Sequence, residues 1–152
     1  MYIDSHCHIS FPELRDKIDE VMQNMAYHKV THALCVSVTL DNFEEVITMA
    51  NRYNHIFASV GVHPDYEDII EPDVDLLVRH SKNDKVVAIG ETGLDYFRLK
   101  GDLTWQRNRF RTHIKAAIKA NLPLIIHTRN AQKDTISIMK EEGASNARGV
   151  MH

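Results

Sequence analysis

The sequence predicts an α/β fold built on a parallel sheet. Apolar, β-branched segments alternate with amphipathic helical stretches along the whole chain, the pattern of a βα repeat. Five of the ten histidines, His6, His8, His63, His127 and His152, fall at or just beyond the C-terminal ends of predicted strands. That edge is where parallel βα folds bind ligands. At 152 residues, with 43% hydrophobic and 26% charged residues, the chain can build one good core.

The elements follow in order. Tyr2 to Asp4 is the first predicted strand, and Leu14, Ile18, Val21, Met22 and Met25 recur at helical spacing after it. Ala33 to Val38 is the second strand, with a helix opened by Asp41 as N-cap and Glu44 completing a capping box. Ile56 to Val60 is the third strand, Val74 to His80 a short helix after Pro72, and Lys85 to Gly90 the fourth strand. A long helix from Leu103 to Ala120 buries Phe110, Ile114, Ala117 and Ile118. Pro123 to Ile126 is the fifth strand, Ala131 to Glu142 a helix with Gly143 as C-cap, and Gly149 to Met151 the sixth strand. Six strands with five intervening helices fit either a doubly wound open sheet or an incomplete (β/α)8 barrel, and periodicity does not separate the two. An open edge after the sixth strand predicts self-association through it.

Charge and composition exclude several classes. A net charge of -3 supplies no global basic field, so a nucleic-acid partner must be held by a local patch or by bound cations. No run is long and apolar enough to span a bilayer, and no signal-peptide pattern opens the chain. Cys7 and Cys35 are too few for a disulfide framework and lack CxxC spacing, so reduced thiols and a cytoplasmic location are expected.

The chemistry starts at DSHCH, Asp4 to His8. Residues two apart on a strand share a face, so His6 and His8 project together and are able to share a metal, while Ser5 and Cys7 point away. Asp4 is a candidate to accept a free ring N–H of a ligating histidine. Glu91 in AIGETGLDY follows a hydrophobic strand, where an unpaired carboxylate is costly to desolvate and two oxygens are able to bridge cations. Asp95 either orients a ligand or makes an Asx turn. LPLIIHTR places His127 at a strand end with Arg129 two residues on, a planar fork suited to phosphate. His63 in GVHP reads as substrate-facing, and His152 in GVMH as a ligand at the same edge. Four histidines and one carboxylate suit zinc, manganese or iron. Arg98 and Lys100, near Tyr96, Phe97 and Trp105, form a basic and aromatic patch able to stack bases and hold phosphates, whereas most basic residues up to Lys119 read as a solvated helix face.

With DSHCH, GVHP, GETGLDY, HTR and GVMH in that order, the chain resembles the TatD family of metal-dependent hydrolases over its whole length. The resemblance implies a (β/α)8 TIM barrel and a site of two divalent metal ions, Zn, Mg or Mn, that hydrolyses phosphodiesters in DNA. It implies that His6 and His8 bind one metal, that His127 and His152 bind the other, and that Glu91 bridges them, with His63 and Arg129 near the substrate. No residue here matches the family's remaining ligand, an aspartate after a later strand. A whole barrel takes about 250 residues, so residues 1–152 are expected to form roughly the first three-fifths of one, a single domain with weak or no activity alone. The rival expectations are a hydrolase of a small cyclic amide or lactone, and a non-catalytic metal-binding fragment.

Overall fold

A computed structural model describes residues 1–152. Its strands are Tyr2–Cys7 (β1), Val30–Cys35 (β2), Ile56–Val60 (β3), Val86–Asp95 (β4), Leu124–Arg129 (β5) and Gly149–Met151 (β6). Its helices are Pro12–Arg15 (α1), Ile18–Tyr27 (α2), Leu40–Arg52 (α3), Val74–His80 (α4), Thr104–Ala120 (α5) and Gln132–Glu141 (α6), followed by a 3-10 turn at Ala144–Asn146. All six strands are parallel and lie side by side in chain order. A doubly wound sheet requires a reversal of strand order, and none occurs. The architecture is therefore six strands of a (β/α)8 barrel wall, and the ambiguity left by periodicity is resolved.

One core joins sheet and helices. Phe110, Ile114 and Ala117 of α5 pack with Ile56, Ile89, Leu94 and Leu124, and Phe43, Val46 and Ala50 of α3 extend the cluster. No helix is long and apolar enough to cross a membrane.

Several expected boundaries shift. The first helical stretch is broken at Asp16 and Lys17 into α1 and α2, and Leu14 is largely exposed. Helix α3 is capped by Thr39, whose hydroxyl accepts the Asn42 N–H at 3.0 Å, so Asp41 lies inside the helix and the Asp41–Glu44 capping box does not form. Gly143 does follow α6 in the left-handed conformation, φ +66°. Strands β1, β4 and β5 run three to five residues further than their apolar cores suggest. The extra residues carry His6, Glu91, Asp95 and His127, which sit on the ladder, whereas His8, His63 and His152 lie just beyond it.

Candidate metal centre

Two bulges shape the centre. Asp4 pairs with Ala33 and Cys7 with Cys35, so three steps along β1 oppose two along β2. Ile89 pairs with Leu124 and Thr92 with Ile126, a second three-against-two step in β4. A bulge bends its strand and re-aims the side chains around it. These two lie at His6 and at Gly90–Glu91.

Glu91 is the hub, with a side chain only 3% exposed. His6 Nε2 lies 3.3 Å and His8 Nε2 3.9 Å from its Oε2. Its other oxygen, Oε1, has His152 Nε2 at 2.5 Å, His127 Nδ1 at 3.5 Å and His63 Nε2 at 3.6 Å. One carboxylate thus faces five imidazoles drawn from β1, β5 and the segments that follow β1, β3 and β6. The donor atoms of His6, His8 and Glu91 fall within 4.8 Å of one another, as do those of His63, Glu91 and His127. They line a cleft of about 510 Å³. A slightly larger cleft, about 570 Å³, lies between α6 and β6, but no histidine or carboxylate lines it.

Hydrogen bonds sort these imidazoles by tautomer. His8 Nδ1 donates to the Val36 carbonyl at 3.2 Å, leaving its Nε2 lone pair toward Glu91. His127 Nε2 donates to Asp95 Oδ2 at 3.0 Å, leaving its Nδ1 lone pair toward Glu91 Oε1. In each case two acceptors face each other across a gap that only positive charge relieves, and ring nitrogens tied back in this way are how proteins prepare metal ligands. His63 is different. Its Nδ1 accepts the Asp65 N–H at 3.1 Å, so Nε2 carries the proton and is a donor toward Glu91 rather than a lone pair. Distance alone groups His63 with Glu91 and His127, but its tautomer argues against ligation and for the substrate-facing role.

The protonation balance shows where positive charge is favoured. Burial would raise the Glu91 pKa, but the surrounding imidazoles, His127 and His6 foremost, hold it well below the carboxylate range. Burial lowers His8 and brings His63 down to about 4, so both stay neutral near pH 7. For His127, burial is outweighed by Glu91 and Asp95, which raise its pKa and mark the spot as one that favours positive charge.

Other expected residues fall elsewhere. Asp4 Oδ1 accepts the backbone N–H of His6 at 3.1 Å and makes no ring contact. The ring-orienting roles fall instead to the Val36 carbonyl and to Asp95. Asp95 is buried, bonds the His127 ring and accepts the Phe97 N–H at 2.8 Å in an Asx turn, and it does not line the cleft. Arg129 is exposed, with its guanidinium 3.8 Å above the Phe97 ring, outside the cleft wall. The wall residues that sequence reasoning missed or undervalued are Asp65 and Arg98, paired at 3.0 Å across the mouth. Asp65 Oδ1 is buried with no partner. Trp105 is taken up by Arg109, whose guanidinium lies 4.6 Å above it.

His113 of α5 supplies a pH test of the scaffold. Fully buried, it is pushed from 6.5 down to about 4 by desolvation. With the folded value below the unfolded one, the unfolded chain binds more protons between these limits, so stability is complete above pH 6.5 and falls as pH drops toward 4. His63 acts with the same sign. Urea midpoints measured across that window should decline, and His113→Gln should remove a part worth roughly 3 kcal/mol at most from the slope.

A model of the family described as "TatD related DNase" matches residues 3–152. An uncharacterized metal-dependent hydrolase of Buchnera aphidicola is 39% identical over 99% of this chain and 58% of its own length. The human protein named deoxyribonuclease TATDN3 is 31% identical over 93% of this chain and 57% of its own. The crystal structure of a hydrolase TatD family protein from Entamoeba histolytica superposes with a TM-score of 0.85 at 28% identity, covering all of this chain and 57% of that one. The chain spans about three-fifths of the length of the relatives it matches. With topology, ordered motifs and family match all in agreement, the chain belongs to the TatD family of metal-dependent hydrolases.

Proposed function

We propose that this chain carries the two-cation centre of a cytoplasmic hydrolase that cleaves phosphodiester bonds in DNA. The observation that carries the reading is the buried Glu91 carboxylate facing imidazoles from both edges of the sheet. His6, His8 and Glu91 Oε2 would hold one divalent cation, and Glu91 Oε1, His127 and His152 the other. Mixed imidazole and carboxylate donors fit Zn2+ or Mn2+, and with water completing the shell also Mg2+. When bound, a pair of cations lowers the pKa of a water and offsets charge on a phosphate.

The chain's own side chains do the rest. Val36 and Asp95 hold the rings of His8 and His127 with lone pairs inward, and His63 offers an N–H at the floor of the cleft. Arg98 stands at the mouth, paired only with Asp65 and largely exposed, ready to exchange that carboxylate for a phosphate. Arg129 stacked on Phe97 extends the basic and aromatic rim, a surface suited to a base and its phosphate. The name of the human relative points the same way.

The test is a substrate panel run with Mg2+, Mn2+ and Zn2+. The reading expects cation-dependent cleavage of oligodeoxynucleotides and none of cyclic amides or lactones. Preference for a cyclic amide would overturn the choice of substrate, and tight cation binding without turnover on any substrate would leave a metal-binding module.

A further inference from the structure

Helix α5 buries three polar side chains on one stripe, Gln106, Arg109 and His113, at spacings of three and four. Docking the helix does not need them, because Phe110, Ile114 and Ala117 already fill the core. Burying polar groups is costly unless each is paired, so their partners are informative.

Those partners are backbone atoms of the candidate centre. His113 Nδ1 donates to the Arg109 carbonyl at 2.8 Å, which leaves Nε2 to accept the Val62 N–H at 3.0 Å. Arg109 Nη1 donates to the carbonyls of His63 at 3.1 Å and Tyr66 at 2.8 Å, while Nε and Nη2 grip both oxygens of Glu71. Gln106 Nε2 donates to the carbonyls of Pro64 at 3.0 Å and Asp95 at 3.1 Å, and its Oε1 accepts the Asp95 N–H at 2.9 Å. The ladder therefore holds the main chain at Val62, His63, Pro64, Tyr66 and Asp95. None of its groups lines the cleft.

We propose that Gln106, Arg109 and His113 are positioning residues that lock the loop from Val62 to Tyr66 so that His63 presents Nε2–H to Glu91. The tautomer of His63 depends on the Asp65 N–H lying against Nδ1, and that geometry exists only while the loop main chain is fixed on both sides of Asp65. Pro64 and Tyr66, the flanking residues, are held by Gln106 and Arg109. The inference rests on the reading of the centre only for the use to which that N–H is put.

The experiment is long-range 15N correlation of the histidine ring nitrogens, which reports each tautomer, with Zn2+ titration of the same samples. In the unaltered protein His63 should be in the Nε2–H form. His113→Leu and Gln106→Met should shift it toward a mixture, whereas His113→Gln, which restores an acceptor for the Val62 N–H, should recover it. Arg109→Lys, a milder change that keeps the charge, should produce an intermediate loss. Ile114→Val removes a core methylene from the same helix and takes no hydrogen bond from the loop, so it should lower the melting temperature without altering the His63 ring. Unchanged His63 signals in both His113→Leu and Gln106→Met, or an equal shift in Ile114→Val, would overturn the proposal. If the unaltered protein takes up no Zn2+ but His63 still responds to the ladder variants, the two-cation reading fails and the positioning role stands.

Discussion

On the proposed two-cation reading, Glu91→Gln should abolish binding of both cations while leaving the fold in place. The amide keeps the size of the carboxylate but loses the charge and one of the two acceptor oxygens, so neither donor set keeps its bridging anion. Calorimetric titration with Zn2+ or Mn2+ should show no site of the original affinity, and any phosphodiester cleavage should fall by about 10³-fold or more, since cations supply several kcal/mol of transition-state stabilisation. Retention of one full-affinity site would show that the carboxylate serves a single cation. Cleavage indifferent to the change would remove Glu91 from the chemistry altogether.

Gly93→Ala should produce the largest loss of stability. Gly93 sits at φ +133° opposite His127 in the ladder, and a Cβ there would be driven into the His127 carbonyl oxygen, far inside van der Waals contact. The strands cannot separate at this point without pulling His127 from Asp95. A collision on top of a backbone conformation that side chains rarely adopt is expected to cost roughly 3 to 5 kcal/mol, read as a drop in the urea midpoint at unchanged slope. Gly101→Ala is the control. Gly101 also has positive φ, +92°, but nothing lies within 4 Å of its Cβ position, so that change should cost only about 1 kcal/mol. Similar losses at the two sites would mean that strain in φ, and not the collision with β5, dominates.

What the sequence disclosed follows physical lines. Alternation of β and α periods and the placement of histidines at strand ends were legible because burial and ligand geometry both leave a spacing in the chain. The strand ends were not, since Glu91 and Asp95 are polar residues on a ladder, held there by bulges that have no sequence period. Strict alternation correctly puts His6 and His8 on one side but is silent on the bulge that aims them at Glu91. The basic residues of α5, Arg109 among them, read as a solvated face because a basic side chain on a buried stripe looks, in one dimension, like one on the surface, and His113 carries no signal of its own. The signal that separates them is a polar stripe in register with Phe110 and Ile114, on the face where apolar residues belong. Asp95 forms the Asx turn that its sequence context allows and also bonds the His127 ring, a contact no spacing announces.

The meeting of His6 and His152 has a consequence for how the centre comes into being. They belong to the two edges of the sheet, yet their ring centroids are 4.2 Å apart and both reach the same carboxylate. The rim is therefore drawn inward like the mouth of a purse, and the contact joins β1 to the residue after β6. Such a contact is made across a long stretch of sequence, so forming it waits on the ordering of the strands and helices between. A cation held across that gap would sense all these elements rather than one loop, and its affinity would be linked to folding.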